Sequence, residues 1–331
     1  MKTEILTYCA QSIEKAADII KNGGIVGMPT ETVYGLAANA LDESAVKSIF
    51  EAKGRPQDNP LIVHISDFSM LAPLVREIPD VAVRLAERFW GGPLTMIFPK
   101  ADIIPDVTSG GLDTVAVRMP ESEAARALIR ASGVPIAAPS ANLSGSPSPT
   151  TAQHVFDDMN GRIPLIIDGG ACRCGVESTV ICFRSGRIHI LRPGGVTAEM
   201  LAEFAEVEVD KAVCAKPADN EKVLSPGMKY KHYSPKANVI IVDRHGEAFA
   251  EYCTNHAAGK TIALSAGDMR GDIFINYGST AEQQAQSLFS LLRSADDNAC
   301  DTVFVEMPDK SGVGLAVYNR LLRAAGFEIV G

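Results

Sequence analysis

The chain has 331 residues, enough at roughly 150 per domain for two domains with a core each, which excludes a single small stapled module. Lys and Arg total 31 against 40 Asp and Glu, for a formal charge of −9, with 18 basic and 23 acidic residues through position 203 and 13 and 17 after it. That balance excludes a charged tail and a nucleic-acid binder recognisable by net charge, while 46% apolar and 21% charged residues exclude a disordered or fibrous chain.

The seven cysteines, at 9, 172, 174, 182, 214, 253 and 300, are odd in number and scattered, and the first twenty residues lack a long apolar signal core. A reducing, cytoplasmic location is expected. Cys172 and Cys174 form a C-x-C without a second pair or a nearby His, which is poor zinc spacing, so they read as small apolar fillers. No run approaches the ~18 apolar residues needed to cross a bilayer.

In chain order, 12–20 has helical apolar spacing, Asn22-Gly23-Gly24 stops it, and 25–28 reads as a strand. Asp42 is placed to cap a helix running through Lys53; 61–65 reads as a strand and 81–89 as a helix ending at Gly91-Gly92. Further strands are predicted at 95–98, 114–117, 136–138, 165–168, 178–182 and 188–191. This mixture predicts a twisted mixed sheet flanked by helices. From 204 to 236 the periodicity fades into a polar, Pro-containing linker. Strands at 238–242, 261–264, 273–275 and 302–306 then alternate with helices at 247–256, 281–294 and 313–325, predicting a smaller doubly wound α/β domain. Its first strand ends in Asp243-Arg244-His245-Gly246, without the glycine fingerprint of a dinucleotide site.

Several segments carry polar chemistry. PTETVYGL (29–36) follows a strand and offers two threonine hydroxyls and a carboxylate, either for a small polar ligand or as a strand-to-helix turn. KGRPQDNPLIVH (53–64) sets Lys53 and Arg55 beside Gly54, an arrangement suited to gripping phosphates or to ending a helix with cations. His64, in an apolar strand, is either a core histidine or a ligand contact. Alternation along 114–118 sends Thr114, Ala116 and Arg118 to one face; a buried Arg118 needs an anion, either a substrate carboxylate or a structural Asp or Glu. The PSANLSGSPSPT run (139–150) offers hydroxyl and amide donors to phosphate or ribose oxygens. ESTV (177–180) and LRPGG (191–195) place polar groups at strand ends, and SPGMKYKHYSPK (225–236) can fold as a lid over an anionic, aromatic ligand or serve as a stiff connector.

The order and identity of these motifs together resemble the threonylcarbamoyl-AMP synthases of the two-domain type, over nearly the whole chain and without departure at the motif positions. The resemblance implies a YrdC-like catalytic domain at 1–203, a linker and active-site lid at 204–236, and a Rossmann-like domain at 237–331. It implies a nucleotidyl transfer in which L-threonine, bicarbonate or CO2, and ATP carrying Mg2+ give threonylcarbamoyl-AMP and pyrophosphate. A separate transferase would use the product to make N6-threonylcarbamoyladenosine in tRNA, so direct tRNA binding would be weak or absent. By the family pattern Thr32, His64, Arg118, Ala138 and Ser178 would hold threonine. Lys53, Arg55, Asn59, Thr114, Ser140, Asn142, Ser148 and Arg192 would surround the nucleotide, Lys53 and Arg55 offsetting phosphoryl charge, and Tyr230 or Tyr233 would close the site. No carboxylate cluster suggests a protein metal cage. The rival reading is a double-stranded RNA or tRNA-binding module without adenylation activity; a carbamoyl-transfer enzyme of the hydrogenase-maturation type would carry paired CxxC motifs, absent from this sequence.

Overall fold

The computed structural model describes residues 2–57, 59–215 and 233–331. Its larger sheet has eleven strands, in the spatial order Glu4–Thr7, Leu165–Asp168, Val26–Met28, Gly35–Asn39, Ile136–Ala137, Ile62–His64, Thr114–Arg118, Leu94–Pro99, Thr179–Arg184, Arg187–Arg192 and Val207–Val209. Parallel and antiparallel neighbours are mixed along it.

Alternation along the strands feeds two apolar layers. Leu165 and Ile167 join the cluster under the helices Ala10–Lys21 and Glu123–Ser132, where Ile13, Ala17, Leu128 and Ile129 are buried. Ile166, between them, joins the other cluster with Val46, Ile49 and Phe50 of Glu43–Lys53, Leu85 of Asp80–Phe89 and Val155 of Ala152–Met159. The expected cap forms: the Asp42 carboxylate accepts from the amides of Ser44 and Ala45 and opens Glu43–Lys53.

The smaller sheet is wholly parallel, in the order Phe274–Asn276, Thr261–Ser265, Thr302–Glu306, Asn238–Val242 and Ile329–Val330. Leu288, Phe289 and Leu292 of the helix Ala281–Asp297 and Val317 and Leu321 of Gly314–Ala324 cover one face, and Phe249 and Cys253 of Gly246–His256 belong to a second cluster.

Three differences from the sequence reading have physical causes. Gly35–Asn39 is a buried strand although Gly-Leu-Ala-Ala-Asn has weak β-propensity; its place between two partners, not its composition, makes it one. The helices Glu123–Ser132 and Ala152–Met159 went unpredicted, the second having only eight residues in which to show a period. Val207–Val209 pairs in parallel with Ile188–Ile190, so the larger sheet runs past the boundary expected at 203. A three-residue edge strand carries no usable period. Residues 216–232 of the expected lid, Tyr230 among them, lie outside the described residues.

The two domains meet closely. Val33 and Val176 of the first are buried in the main apolar cluster of the second. Gly175 sits at φ 75°, and a Cβ there would lie 2.3 Å from the Ala285 carbonyl oxygen and 2.4 Å from the Gln286 Cα. Only glycine lets the loop and the helix approach so far. Gly175→Ala should therefore destabilise the protein by about 1–3 kcal/mol or more in chemical denaturation. Gly186→Ala, also at positive φ but facing open space, should be affected by about 1 kcal/mol or less, from the backbone alone. Equal losses would show that the contact does not matter.

Candidate active site

Sheet register builds the centre of the site. His64 pairs with Arg118 on the neighbouring parallel strand, and Arg118 pairs with Thr95 on the antiparallel one. Directly paired residues share a face, so an imidazole, a guanidinium and a hydroxyl stand in a row. All three are buried. Thr95 Oγ1 lies 2.8 Å from Ser178 Oγ, which also accepts from Arg192 Nη2 at 3.1 Å, while Arg192 Nε donates to the Ser178 carbonyl at 3.0 Å. Gly194 makes this turn possible: a Cβ there would fall 2.3 Å from the Thr179 nitrogen.

Arg118 finds its anion within the chain. Nη2 donates to Glu31 Oε1 at 2.5 Å, Nη1 to Thr32 Oγ1 at 2.9 Å and Nε to the Gly92 carbonyl at 3.3 Å. Glu31 Oε2 accepts the Glu121 amide at 3.1 Å. Of the two partners the sequence left open, the structural carboxylate is thus present. Thr30 completes the turn, its hydroxyl donating to the Val33 carbonyl at 2.6 Å and lying 2.9 Å from that of Thr32.

Lys53 is buried too, and its ammonium donates to the carbonyls of Ser140 and, at 2.6 Å, Asn142. It therefore pins the hydroxyl-rich loop. Burial, and then the charge of Arg55, hold its pKa well below the usual lysine range. Ser140 Oγ donates to Asn142 Oδ1 at 2.5 Å, and the Asn142 amide donates to the carbonyls of Leu143 and Ser146, both at 2.8 Å. Burial lowers the Arg192 pKa to about 10, which still leaves it cationic at neutral pH. Glu177 is driven upward by burial, but the charges of Arg320 and Arg192 and the Ser148 hydrogen bond outweigh that and hold it below the ordinary range.

Most of these groups line one cavity open to solvent, whose empty space including the mouth is about 750 Å³; Glu31 and Thr95 stand behind its wall-forming residues Arg118 and Ser178. Of the expected residues, Thr32, Lys53, Arg55, His64, Arg118, Ala138, Ser140, Asn142, Ser178, Arg192 and Tyr233 line it. Asn59, Thr114 and Ser148 are not among the lining residues; Ser148 instead donates to Glu177, which is. Glu177 and Thr95 are not among the expected residues, and Glu31, offered by its motif to a small polar ligand, instead pairs with Arg118; a buried arginine's need for a carboxylate and the Glu of ESTV were visible signals. Among the described residues no group of three or more His, Cys, Asp or Glu side chains could hold a metal ion, and no helix is long and apolar enough to cross a membrane. All seven cysteines are free thiols.

Fold and cavity define a two-domain α/β protein whose site offers buried guanidinium, ammonium and hydroxyl donors to an anionic, polar ligand. A family profile described as telomere recombination (Sua5, YciO, YrdC) matches residues 18–194, and one described as threonylcarbamoyl-AMP synthase, C-terminal domain, matches residues 196–326. The chain is 48% identical over 327 residues to a threonylcarbamoyl-AMP synthase of Pyrococcus abyssi, covering 96% of this chain and 95% of that protein. It is 45% identical to one of Bacillus subtilis, covering 99% and 97%. The crystal structure of P. abyssi Sua5 complexed with L-threonine superposes with a TM-score of 0.91 at 46% identity, over 100% of this chain and 99% of that one. The chain belongs to the two-domain threonylcarbamoyl-AMP synthase family.

His64 offers a check on the site's electrostatics. Its Nδ1 lies 3.2 Å from the Ile62 carbonyl oxygen. Burial, then the neighbouring Arg118 charge, lowers the imidazole pKa from 6.5 to about 3. Between those values the unfolded chain binds a proton that the folded chain refuses, so stability falls as pH drops through that window. Going from pH 6.5 to 4.5 should lose about 2–3 kcal/mol through this residue alone. His64→Gln, neutral throughout, should show a shallower acid limb in urea denaturation at a series of pH values; parallel limbs would contradict the buried neutral imidazole.

Proposed function

We propose that the protein is an L-threonylcarbamoyladenylate synthase, which joins L-threonine, bicarbonate or CO2, and ATP into threonylcarbamoyl-AMP with release of pyrophosphate and, from bicarbonate, water. The observation that supports this most is the convergence on one cavity of two groups of donors, in a chain of this family. One is the row of His64, Arg118 and the Ser178–Thr95 pair; the other is Lys53, Arg55, Ser140, Asn142 and Arg192.

In this reading Thr32, His64, Ala138 and Ser178 surround threonine, and Arg118 shares its guanidinium between Glu31 and the substrate carboxylate. With Glu31 beside Arg118, the fork of Arg118 donors can take a second carboxylate, and Arg192, held on Ser178, adds another cation close by. His64, kept neutral, can take part in hydrogen bonds without repelling the substrate ammonium. A carbamate formed on the threonine nitrogen is labile in water, so a dry cavity favours its survival until a carbamate oxygen attacks the α-phosphorus and pyrophosphate leaves. Arg55, Arg192 and the loop held by Lys53 face the nucleotide, and Tyr233 closes one wall. Mg2+ would arrive on the phosphates and offset their charge, since the lining residues offer no carboxylate set for a cage of their own. No covalent nucleophile is needed. The product, an activated acyl-adenylate, then serves a separate transferase acting on tRNA.

Pyrophosphate release measured with Mg2+ and ATP should require both threonine and bicarbonate; release that ignores either omission would overturn this function. Strongly salt-dependent RNA binding without such turnover would favour the binding-module reading instead. Arg118→Ala should weaken threonine binding, followed by calorimetry, by at least about tenfold while ATP binding changes less, because a planar fork suits a carboxylate. Arg118→Lys should restore only part of the loss. Equal losses for both ligands would remove the assigned role.

A further inference from the structure

Two arginines of the second domain end inside the first. Arg320, on Gly314–Ala324, is fully buried; its Nε donates to Glu177 Oε2 at 2.8 Å, its Nη2 to the Glu177 carbonyl at 3.2 Å and its Nη1 to the Pro193 carbonyl at 2.8 Å. The other Glu177 oxygen accepts from Ser148 Oγ at 2.5 Å. The Arg320 guanidinium also lies 5.9 Å from the Tyr233 ring centre, and Phe289, on Ala281–Asp297, backs that ring at 5.3 Å. On the same helix Arg293 donates to the Pro147 carbonyl and to Asp158 Oδ2, both at 2.6 Å, and Asp158 Oδ2 accepts the Leu143 amide at 3.3 Å. Ser290 Oγ lies 3.0 Å from Thr150 Oγ1.

Each of these grips falls on the loop between Leu143 and Thr150, on Asp158, which holds that loop at Leu143, or on Glu177, Pro193 and Tyr233. Glu177, Tyr233 and the neighbouring Asn142, Ser144 and Gly145 line the cavity. Docking alone does not demand this chemistry. The apolar contacts of Val33 and Val176 already join the domains, and a buried ion pair is often no more stabilising than an apolar pair of similar volume. What the ion pairs add is directional constraint on the carbonyls, carboxylate and ring that shape one side of the site.

We propose that Arg320 and Arg293 are positioning residues, through which the second domain holds the nucleotide side of the cavity in its working shape. The inference rests on the assignment of that side to ATP made above. It gives the second domain a role in the first domain's chemistry. It also accounts for an arginine reaching Glu177 across a sequence separation of 143 residues.

The test uses the full chain, with thermal melting to confirm folding. Affinities are then measured for a non-hydrolysable ATP analogue with Mg2+ and, separately, for L-threonine. Arg320→Met leaves Glu177 without its partner and can fail to fold. The double variant Arg293→Met/Asp158→Asn leaves no unpaired buried carboxylate and alters no cavity-lining residue, so it decides the matter if the first is unfolded. Folded variants are expected to bind the nucleotide at least about tenfold more weakly, with threonine affinity within about twofold of wild type, since small misplacements of positioning groups have effects of this size. Arg293→Lys, keeping a cation on Asp158, should recover part of the loss. A folded variant with wild-type nucleotide affinity, or one losing both ligands equally, overturns the proposal while wild type still binds both. Wild-type protein that binds neither ligand overturns the functional reading, and this proposal with it.

Discussion

A cation removed from water must receive its hydrogen bonds from the protein, and the site is organised around that requirement. Lys53, Arg118, Arg192 and Arg320 are all buried, and each meets it differently. Lys53 takes backbone carbonyls of the Ser140–Asn142 turn, Arg118 takes Glu31 and Thr32, Arg192 takes Ser178, and Arg320 takes Glu177 and Pro193. The partners of these cations are the motif residues themselves. Each motif is therefore held in place by a buried cation, and removing one side would leave the other desolvated and without that hydrogen bond.

This economy explains a site that is positive in character within a protein of charge −9. Glu31 and Glu177 balance Arg118 and Arg320 locally, so burial is tolerable before any ligand arrives. Lys53 is eased by a lowered pKa and by carbonyl dipoles. The cavity thus holds several buried donors without an uncompensated cluster of like charge.

Glu177 links the two domains physically. One oxygen holds Ser148 in the first domain and the other receives Arg320 from the second, while Tyr233, inside the linker, is wedged between Arg320 and Phe289. The close approach at Gly175 and the apolar insertion of Val33 and Val176 fix the distance at which those polar contacts can form. The interface and one wall of the cavity are consequently the same set of residues.

Much was legible beforehand, where the signal was local. The Asp42 cap, the strand periods at Leu165–Asp168 and Thr302–Glu306, the alternating second domain and the polar motifs all follow from neighbouring residues, because helix and strand periods and capping act over a few positions. The motif resemblance likewise brought eleven of the expected residues to one cavity. What only tertiary structure decided was pairing across distance. That Arg118 meets Glu31, that His64, Arg118 and Thr95 align, that the larger sheet extends to Val209, and that Arg320 crosses to Glu177 depend on sheet register and domain docking. A sequence states that a buried arginine needs an anion; register and packing choose which one, because the candidates lie far apart along the chain and come within hydrogen-bond reach only once the sheets and domains are assembled.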